Sequence, residues 1–92
     1  MEGMAEESRL AKKHGARLHP RSGAGNIKWD ASNDEVLFEM KNALRSHTLQ
    51  GDYLKRLALD AAQQGKEARY LVSFESAGIE IECRINLKGR PS

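Results

Sequence analysis

Three residues in the first half of the chain have types and a spacing that could support phosphodiester chemistry. Asp30 precedes Glu39 and Lys41, which lie two positions apart in the apolar run VLFEMK. Because side chains alternate between the two faces of a strand, Glu39 and Lys41 should share one face, and the apolar residues that alternate with them should take the other. Two carboxylates can hold Mg²⁺, and the backbone carbonyl of Met40 could supply a further ligand. The metal would activate a bound water, while Lys41 would orient that water and neutralise the phosphate.

An ordinary structural interpretation of the same residues is favoured on spacing alone. Glu-x-Lys is a common pair, and Glu39 and Lys41 could simply attract each other on the wet face of a hairpin. The histidines fit no familiar set of metal ligands, so a polar surface role is expected for His14, His19 and His47. Cys83, the single cysteine, is expected to be a small core residue.

The elements that would position these residues follow from the apolar periodicity. A helix between the second and third strands implies a crossover connection within one mixed sheet. The fold class is therefore α/β or α+β, with a mixed sheet of about four strands, a leading helix and one crossover helix. The predicted elements are a helix at 5–13, a loop at 16–26, strands at 27–31 and 35–41, a helix capped by Thr48 and running to Gln64, and strands at 70–74 and 79–85.

The first two strands are expected to form an antiparallel hairpin. They are separated by Ser32, Asn33 and Asp34, which favour tight turns. Asp30 lies on the first strand near the turn, and Glu39 lies on the second strand. Whether the two carboxylates converge depends on the register of the hairpin, which the sequence does not determine.

Length and charge indicate a single small domain with an affinity for polyanions. Ninety-two residues with 39% hydrophobic content fit one domain at 1–92, with frayed tails at 1–4 and 88–92. So small a core favours pairing with a second copy of the chain, and a homodimer is expected. The segment 9–28 carries six lysines and arginines and no acid. This segment would favour phosphate, although a solvated basic loop explains it equally well.

The remaining composition indicates an intracellular protein that does not enter a membrane. A lone cysteine excludes an intramolecular disulfide, and the N-terminal residues lack the apolar core of a signal peptide. No apolar run approaches membrane-spanning length. An intracellular, reducing setting is therefore expected.

Residues from Gly15 to Phe74 resemble the PD-(D/E)xK nuclease superfamily, specifically its small Holliday junction resolvase-like branch. The matching features occur in the same order as in that family. They are the acidic first helix with Glu6 and Glu7, the loop GARLHPRSGAG, the run Lys28-Trp29-Asp30, the strand LFEMK, and a helix followed by the strand YLVSF. The resemblance covers about two thirds of the chain.

The resemblance implies a restriction-endonuclease-like core and a Mg²⁺-dependent endonuclease that cuts branched DNA as a homodimer, with Mn²⁺ able to substitute. It implies that Asp30 and Glu39 bind the metal, that Lys41 is catalytic, and that Glu7 or Glu6 is an outer acid. Because this branch is found in archaea and phages, it also implies the cytoplasm of a prokaryotic or phage-infected cell. The candidate DNA-binding residues are Arg17, Arg21, Ser22, Gly23 and Lys28.

Two positions depart from the family pattern. Trp29 stands where many relatives have a small residue, and its bulk could limit how closely a phosphate approaches Asp30. Asn42 replaces the hydroxyl residue usual after Glu-x-Lys.

Two alternative functions also stay open at this point. One is a nuclease of the same superfamily that acts on nicked, damaged or plain duplex DNA, and the other is a DNA-binding module that keeps the scaffold without cutting.

Overall fold

The described part of the chain folds into a mixed five-stranded sheet with one helix on each face. The computed structural model describes residues 2–19 and 29–89. Its elements in chain order are α1 (Glu2–Lys13), β1 (Arg17–Leu18), β2 (Ala31–Ser32), β3 (Val36–Ala43), α2 (Gly51–Gln63), β4 (Glu67–Phe74) and β5 (Ile79–Ile85).

The strands lie in the sheet in the same order as in the chain. β2 is antiparallel to both β1 and β3, β3 and β4 are parallel, and β5 is antiparallel to β4. The parallel pair requires a crossover, which α2 provides. The predicted fold class and the crossover helix are therefore confirmed.

The strand number of about four is wrong, because a fifth strand forms within the segment predicted to be a loop. Arg17 and Leu18 make the two-residue edge strand β1, with Arg17 opposite Ser32 and Leu18 opposite Ala31. Both residues are exposed. Such a short exposed strand has no apolar alternation to reveal it, and it forms only because the β2 edge is available for pairing.

One face of the sheet packs against α1. The large buried side chains there contribute roughly 1.5–3 kcal/mol each, so this cluster determines which way β3 faces. Alternate residues of β3 belong to it, as the sequence predicted. The buried residues on this face are Leu10, Ala11, Ala31, Val36, Phe38, Met40 and Leu71.

The opposite face packs against α2. Leu37 of β3 points into this second cluster, and the alternation of the strand places Glu39 and Lys41 on the same face as Leu37. The two polar residues therefore lie on the α2 side of the sheet. The buried residues of this cluster are Trp29, Leu37, Leu57, Ala58, Ala61, Ala68, Tyr70 and Val72.

The hairpin between β2 and β3 has the predicted turn, and this turn sets its register. The Asn33 side-chain oxygen accepts hydrogen bonds from the backbone N–H groups of Glu35 and Val36, both at 2.8 Å. This Asx turn places Ala31 opposite Phe38. The first strand is shorter than the predicted 27–31, of which residues 27 and 28 lie outside the described range.

The helix α2 begins later than the sequence predicted. Thr48 was expected to cap it, but Gln50 is the N-cap residue and its side chain makes no capping hydrogen bond. Gly51 is then the first helical residue, where its low helix propensity matters little. The helix ends as predicted before Gly65, whose φ of +70° suits glycine.

The edge strand β5 has the predicted bounds but a different distribution of exposure. Cys83 and Ile85 are partly buried against the α2 cluster, so Cys83 is less buried than a core residue. Ile79 and Ile81, on the same face, are 56% and 40% exposed. The apolar face of β5 is thus covered along only half of its length.

The histidines have structural partners, and the prediction of a plain surface role is wrong. The His19 ring nitrogens lie 2.8 Å from the Trp29 carbonyl oxygen and 2.8 Å from the Ser32 hydroxyl. His47 Nε2 lies 2.6 Å from the Tyr70 hydroxyl. The His14 ring packs 5.3 Å from that of Phe38. All three side chains are partly buried.

Candidate active site

The two carboxylates singled out in the sequence lie side by side at the start of the hairpin. Ala31 faces Phe38 across β2 and β3, so Asp30 and Glu39 occupy the next positions outward. Asp30 Oδ2 accepts a hydrogen bond of 2.9 Å from the Met40 backbone N–H. This bond ties the aspartate to the β3 backbone immediately beside Glu39.

Glu39 is a buried acid whose pKa is strongly perturbed. It is 4% exposed, and the pKa of its carboxyl is raised from 4.5 to about 7. Burial is the largest cause, because removing water disfavours the charged form. The negative charge of Asp30 and the carboxyl–carboxyl contact also raise the pKa, whereas Tyr53 and Lys41 lower it. Such a pair of acids is stable only with a shared proton or a nearby cation.

The two oxygens of Glu39 have different environments. Oε2 accepts a hydrogen bond from the Tyr53 hydroxyl and lies 3.3 Å from Lys41 Nζ. Oε1 is buried and has no hydrogen-bond donor among the residues that the structure describes. A buried carboxylate oxygen without a donor is costly unless a proton or a cation reaches it.

Lys41 lies at the mouth of this site. Its side chain is 38% exposed, while that of Glu39 is 5% exposed. The ammonium group also lies 5.2 Å from the centre of the Tyr53 ring, which is within the range of a cation–π contact. The lysine is therefore held by Glu39 and Tyr53 on its inner side and can still meet an anion from solvent.

Tyr53 also belongs to the site, although the sequence alone does not single it out. Its helical spacing with the apolar residues of α2 indicates only a packing position. Its hydroxyl bonds Glu39, and its pKa is raised first by burial and then by that contact. The sequence contains only one hint, a hydroxyl at the start of a packing stripe, because the position of α2 over β3 comes from the tertiary fold.

Trp29 does not block Asp30, although its bulk suggested that it could. The indole is buried in the α2 cluster, its ring lies 5.3 Å from the Tyr53 ring, and its N–H donates a 2.7 Å hydrogen bond to Asp60. Trp29 therefore supports Tyr53 from within the core. Asn42, the second departure from the family pattern, is exposed near the end of β3.

Glu6, one of the two candidate outer acids on the first helix, is bound on the face of the sheet away from Glu39. Glu6 bonds Arg9 at 2.7 Å and also accepts from the Ser73 hydroxyl, and these bonds lower its pKa to about 2. Ser73 adjoins Val72, which faces α2, so Ser73 and Glu6 lie on the other face of the sheet from Glu39. Glu7 is partly buried on the same helix, and its role as an outer acid stays a prediction.

The predicted DNA-binding residues fall largely outside the described range. Arg21, Ser22, Gly23 and Lys28 all belong to the segment 20–28, which is not described. Arg17 is exposed on β1 and lines a cavity of about 510 Å³ together with Lys66. Two cationic side chains at one cavity are compatible with a phosphate contact, and the role of Arg17 stays a prediction.

The residues at the site fit a divalent metal ion. Asp30 and Glu39 are hard oxygen ligands of the kind Mg²⁺ prefers, and a cation would compensate the buried, donor-less Oε1. Within the part of the chain that the structure describes, no group of three or more His, Cys, Asp or Glu residues could hold a metal. A metal here would accordingly take its other ligands from water, the backbone or substrate.

Comparison with known proteins gives no relative for this chain. No family model, no curated protein and no solved structure matches it. Among the described helices, none is long and apolar enough to cross a membrane.

Proposed function

We propose that this protein is a Mg²⁺-dependent endodeoxyribonuclease of the PD-(D/E)xK type. The observation that carries the proposal is the contact between the Asp30 and Glu39 carboxylates, with Lys41 Nζ 3.3 Å from Glu39. The order of motifs in the sequence supports the choice of superfamily. The same resemblance supports four-way DNA junctions as the substrate, a homodimer as the active form and the cytoplasm as the location.

Asp30 and Glu39 would hold the metal, and the Met40 carbonyl is the third predicted ligand. When bound, the ion would lower the pKa of a water molecule and stabilise the charge that develops on the phosphate. Glu39 must be ionised to act as a ligand, and its pKa of about 7 places the loss of its proton near neutral pH. Metal binding and proton release at Glu39 are therefore coupled.

Tyr53 and Lys41 would orient and balance these acids. The Tyr53 hydroxyl fixes Glu39 Oε2, so the carboxylate has a defined orientation before a ligand arrives. Lys41 is partly exposed and positively charged, so it can neutralise a phosphate that enters from solvent and orient a water beside it. This arrangement explains why a lysine two residues after the glutamate belongs to the site.

The test is cleavage of a labelled four-way junction with Mg²⁺ or Mn²⁺. We expect the wild type to cut, and the Asp30→Asn, Glu39→Gln and Lys41→Ala variants to bind the junction without cutting. Glu35→Gln is the matched control, because it makes the same chemical change at an exposed glutamate near the β2–β3 turn. Cleavage that persists in the three site variants would refute the site.

The other functions that the sequence left open are outcomes of the same experiment. Wild-type protein that binds junctions tightly and never cuts with either metal would support a DNA-binding module. Equal cutting of a junction and a matched duplex would support a nuclease with another DNA substrate. Competition between the two DNAs at fixed salt distinguishes these cases, because phosphate contacts depend strongly on ionic strength.

A further inference from the structure

The outer edge of β5 is unpaired within the described residues. Among the strands that the structure describes, β5 is the last of the sheet, and only β4 pairs with it. Natural proteins usually protect such an edge with charge, proline or a covering segment, because its free backbone groups can pair with another strand. Here the edge carries two exposed isoleucines, Ile79 and Ile81, which indicates that a partner covers it.

An apolar groove lies beside the other half of the same strand. It has a volume of about 350 Å³ and runs between α2 and the end of β5. Its apolar lining comes from Leu54, Ala58, Ile85 and Leu87. The exposed isoleucines and the groove are thus on the same face of the sheet, at opposite ends of one strand. A two-fold axis through the middle of β5 would bring the isoleucines of one copy to the groove of another.

Charge disfavours three of the registers open to such a symmetric pair. Opposed residues must share a face, so the axis must pass through a residue and not through a peptide bond. An axis at Glu82 opposes two glutamates, and one at Arg84 opposes two arginines. An axis at Ile81 sets Glu80 against Glu82 of the other copy. Like charges directly opposite one another are destabilising, so these three registers are disfavoured.

An axis at Cys83 satisfies both the charges and the apolar residues. It sets Glu82 against Arg84 of the second copy, and symmetry repeats this ion pair. It also sets Ile81 against Ile85 of the second copy and Ile79 against its Leu87, which are residues of the groove lining. The Arg84 side chain is 64% exposed in the single chain and reaches Glu67 only at 3.9 Å, so it is available for the new pair.

We propose that a second copy of this chain pairs with the outer edge of β5, antiparallel and centred on Cys83, to form a continuous ten-stranded sheet from two five-stranded ones. Glu39 lies beside Tyr70, and Tyr70 beside Cys83, so the axis passes at the level of Glu39. The two Glu39 residues would then be five strand spacings, or about 24 Å, apart on one face. This last consequence concerns the proposed nuclease, whereas the pairing itself does not depend on it.

The single cysteine makes the register directly testable. Residues opposed across antiparallel strands have Cβ atoms about 4.5–5.5 Å apart, so mild oxidation or a short bismaleimide should link Cys83 to Cys83 in most of the protein. The matched control is a Cys83→Ser, Ser76→Cys variant, whose cysteine is exposed in the β4–β5 turn and far from the axis. It should remain uncrosslinked while sedimenting as a dimer.

A charge exchange tests the ion pair without touching Asp30 or Glu39. Arg84→Glu should weaken the dimer roughly tenfold or more, and adding Glu82→Arg in the same chain should restore it. Both residues are exposed, and Arg69, which bonds Glu82 within the chain, keeps Glu67 as an acceptor, so the fold should survive, which circular dichroism would verify. The proposal would be overturned if the protein is a monomer at all concentrations or if its dimer does not crosslink at Cys83. It would also be overturned if Arg84→Glu leaves the affinity of the dimer unchanged. DNA cleavage by the same variants reports separately on the nuclease.

Discussion

Glu39→Gln should make the metal-free protein more stable at pH 8, although it removes a charged residue that has two partners. In the folded chain the pKa of Glu39 is raised from 4.5 to about 7. Between these values the folded state binds more protons than the unfolded state, so wild-type stability falls as pH rises from about 4.5 to about 7. Above pH 7 the full penalty for a buried charge is present.

The size of this effect follows from the pKa. At about 1.36 kcal/mol per pH unit, the rise to about 7 corresponds to up to about 3 kcal/mol at pH 8. Glutamine is neutral at every pH, so the variant avoids this penalty. The raised pKa already includes the favourable effects of Tyr53 and Lys41 on the charged form, so the variant loses only the difference between an amide and a neutral carboxyl beside Tyr53 and Asp30, about 1–2 kcal/mol. A net gain of about 1–2 kcal/mol is therefore expected at pH 8.

Thermal unfolding at several pH values measures this gain. One kcal/mol shifts Tm by about 4–8 °C in a domain of this size. The variant should melt above the wild type at pH 8, and the advantage should disappear near pH 5, where Glu39 is already protonated in the folded state. Glu35→Gln, at an exposed position, should show no such pH-dependent advantage. A variant that is less stable than the wild type by the same margin at both pH values would refute the buried-charge argument.

Three further substitutions test the supporting residues. Tyr53→Phe removes the hydroxyl that lowers the pKa of Glu39, so the pH midpoint of metal binding should rise and the free energy of unfolding should fall by about 1 kcal/mol. Titration with Mn²⁺ at several pH values measures the midpoint, and an unchanged midpoint would show that the hydroxyl is unimportant. Trp29→Phe leaves the Asp60 acceptor without its donor and should lower the free energy of unfolding by about 1–3 kcal/mol. Urea denaturation measures this loss, and an unchanged free energy of unfolding would show that the bond contributes nothing. Arg17→Ala should reduce the slope of log affinity against log salt by about one if Arg17 meets a phosphate, and an unaltered slope in a DNA-binding titration would exclude that contact.

Local sequence patterns predicted the frame of the site well. The alternation in β3 correctly placed Val36, Phe38 and Met40 on one face of the strand, because period-two patterning is a direct consequence of strand geometry. The turn at Asn33 was equally visible, since its side chain bonds its own backbone. Both features depend on residues that are neighbours in the chain, which is the information a single sequence carries best.

Features that depend on tertiary contacts were not visible. The approach of Asp30 to Glu39 required the register of the hairpin, and the bond from Tyr53 to Glu39 required the placement of α2 on the sheet. Trp29 was expected to crowd the site because its sequence neighbour is Asp30, but its burial beside Tyr53 turns it inward. The preference of threonine for helix starts indicates a cap at Thr48, whereas α2 begins at Gly51 with Gln50 as its N-cap residue.

Calorimetric titration of the protein with Mn²⁺ at pH 8 would compare the wild type with Asp30→Asn and Glu35→Gln. Our proposal is that Asp30 and Glu39 together hold a divalent metal. It predicts one ion bound per chain in the wild type and in Glu35→Gln, with proton release that increases as the pH is lowered toward 7. It also predicts that Asp30→Asn binds at least tenfold more weakly, roughly the effect expected for loss of one ligand. No binding by the wild type, or equal binding by Asp30→Asn, would contradict the account.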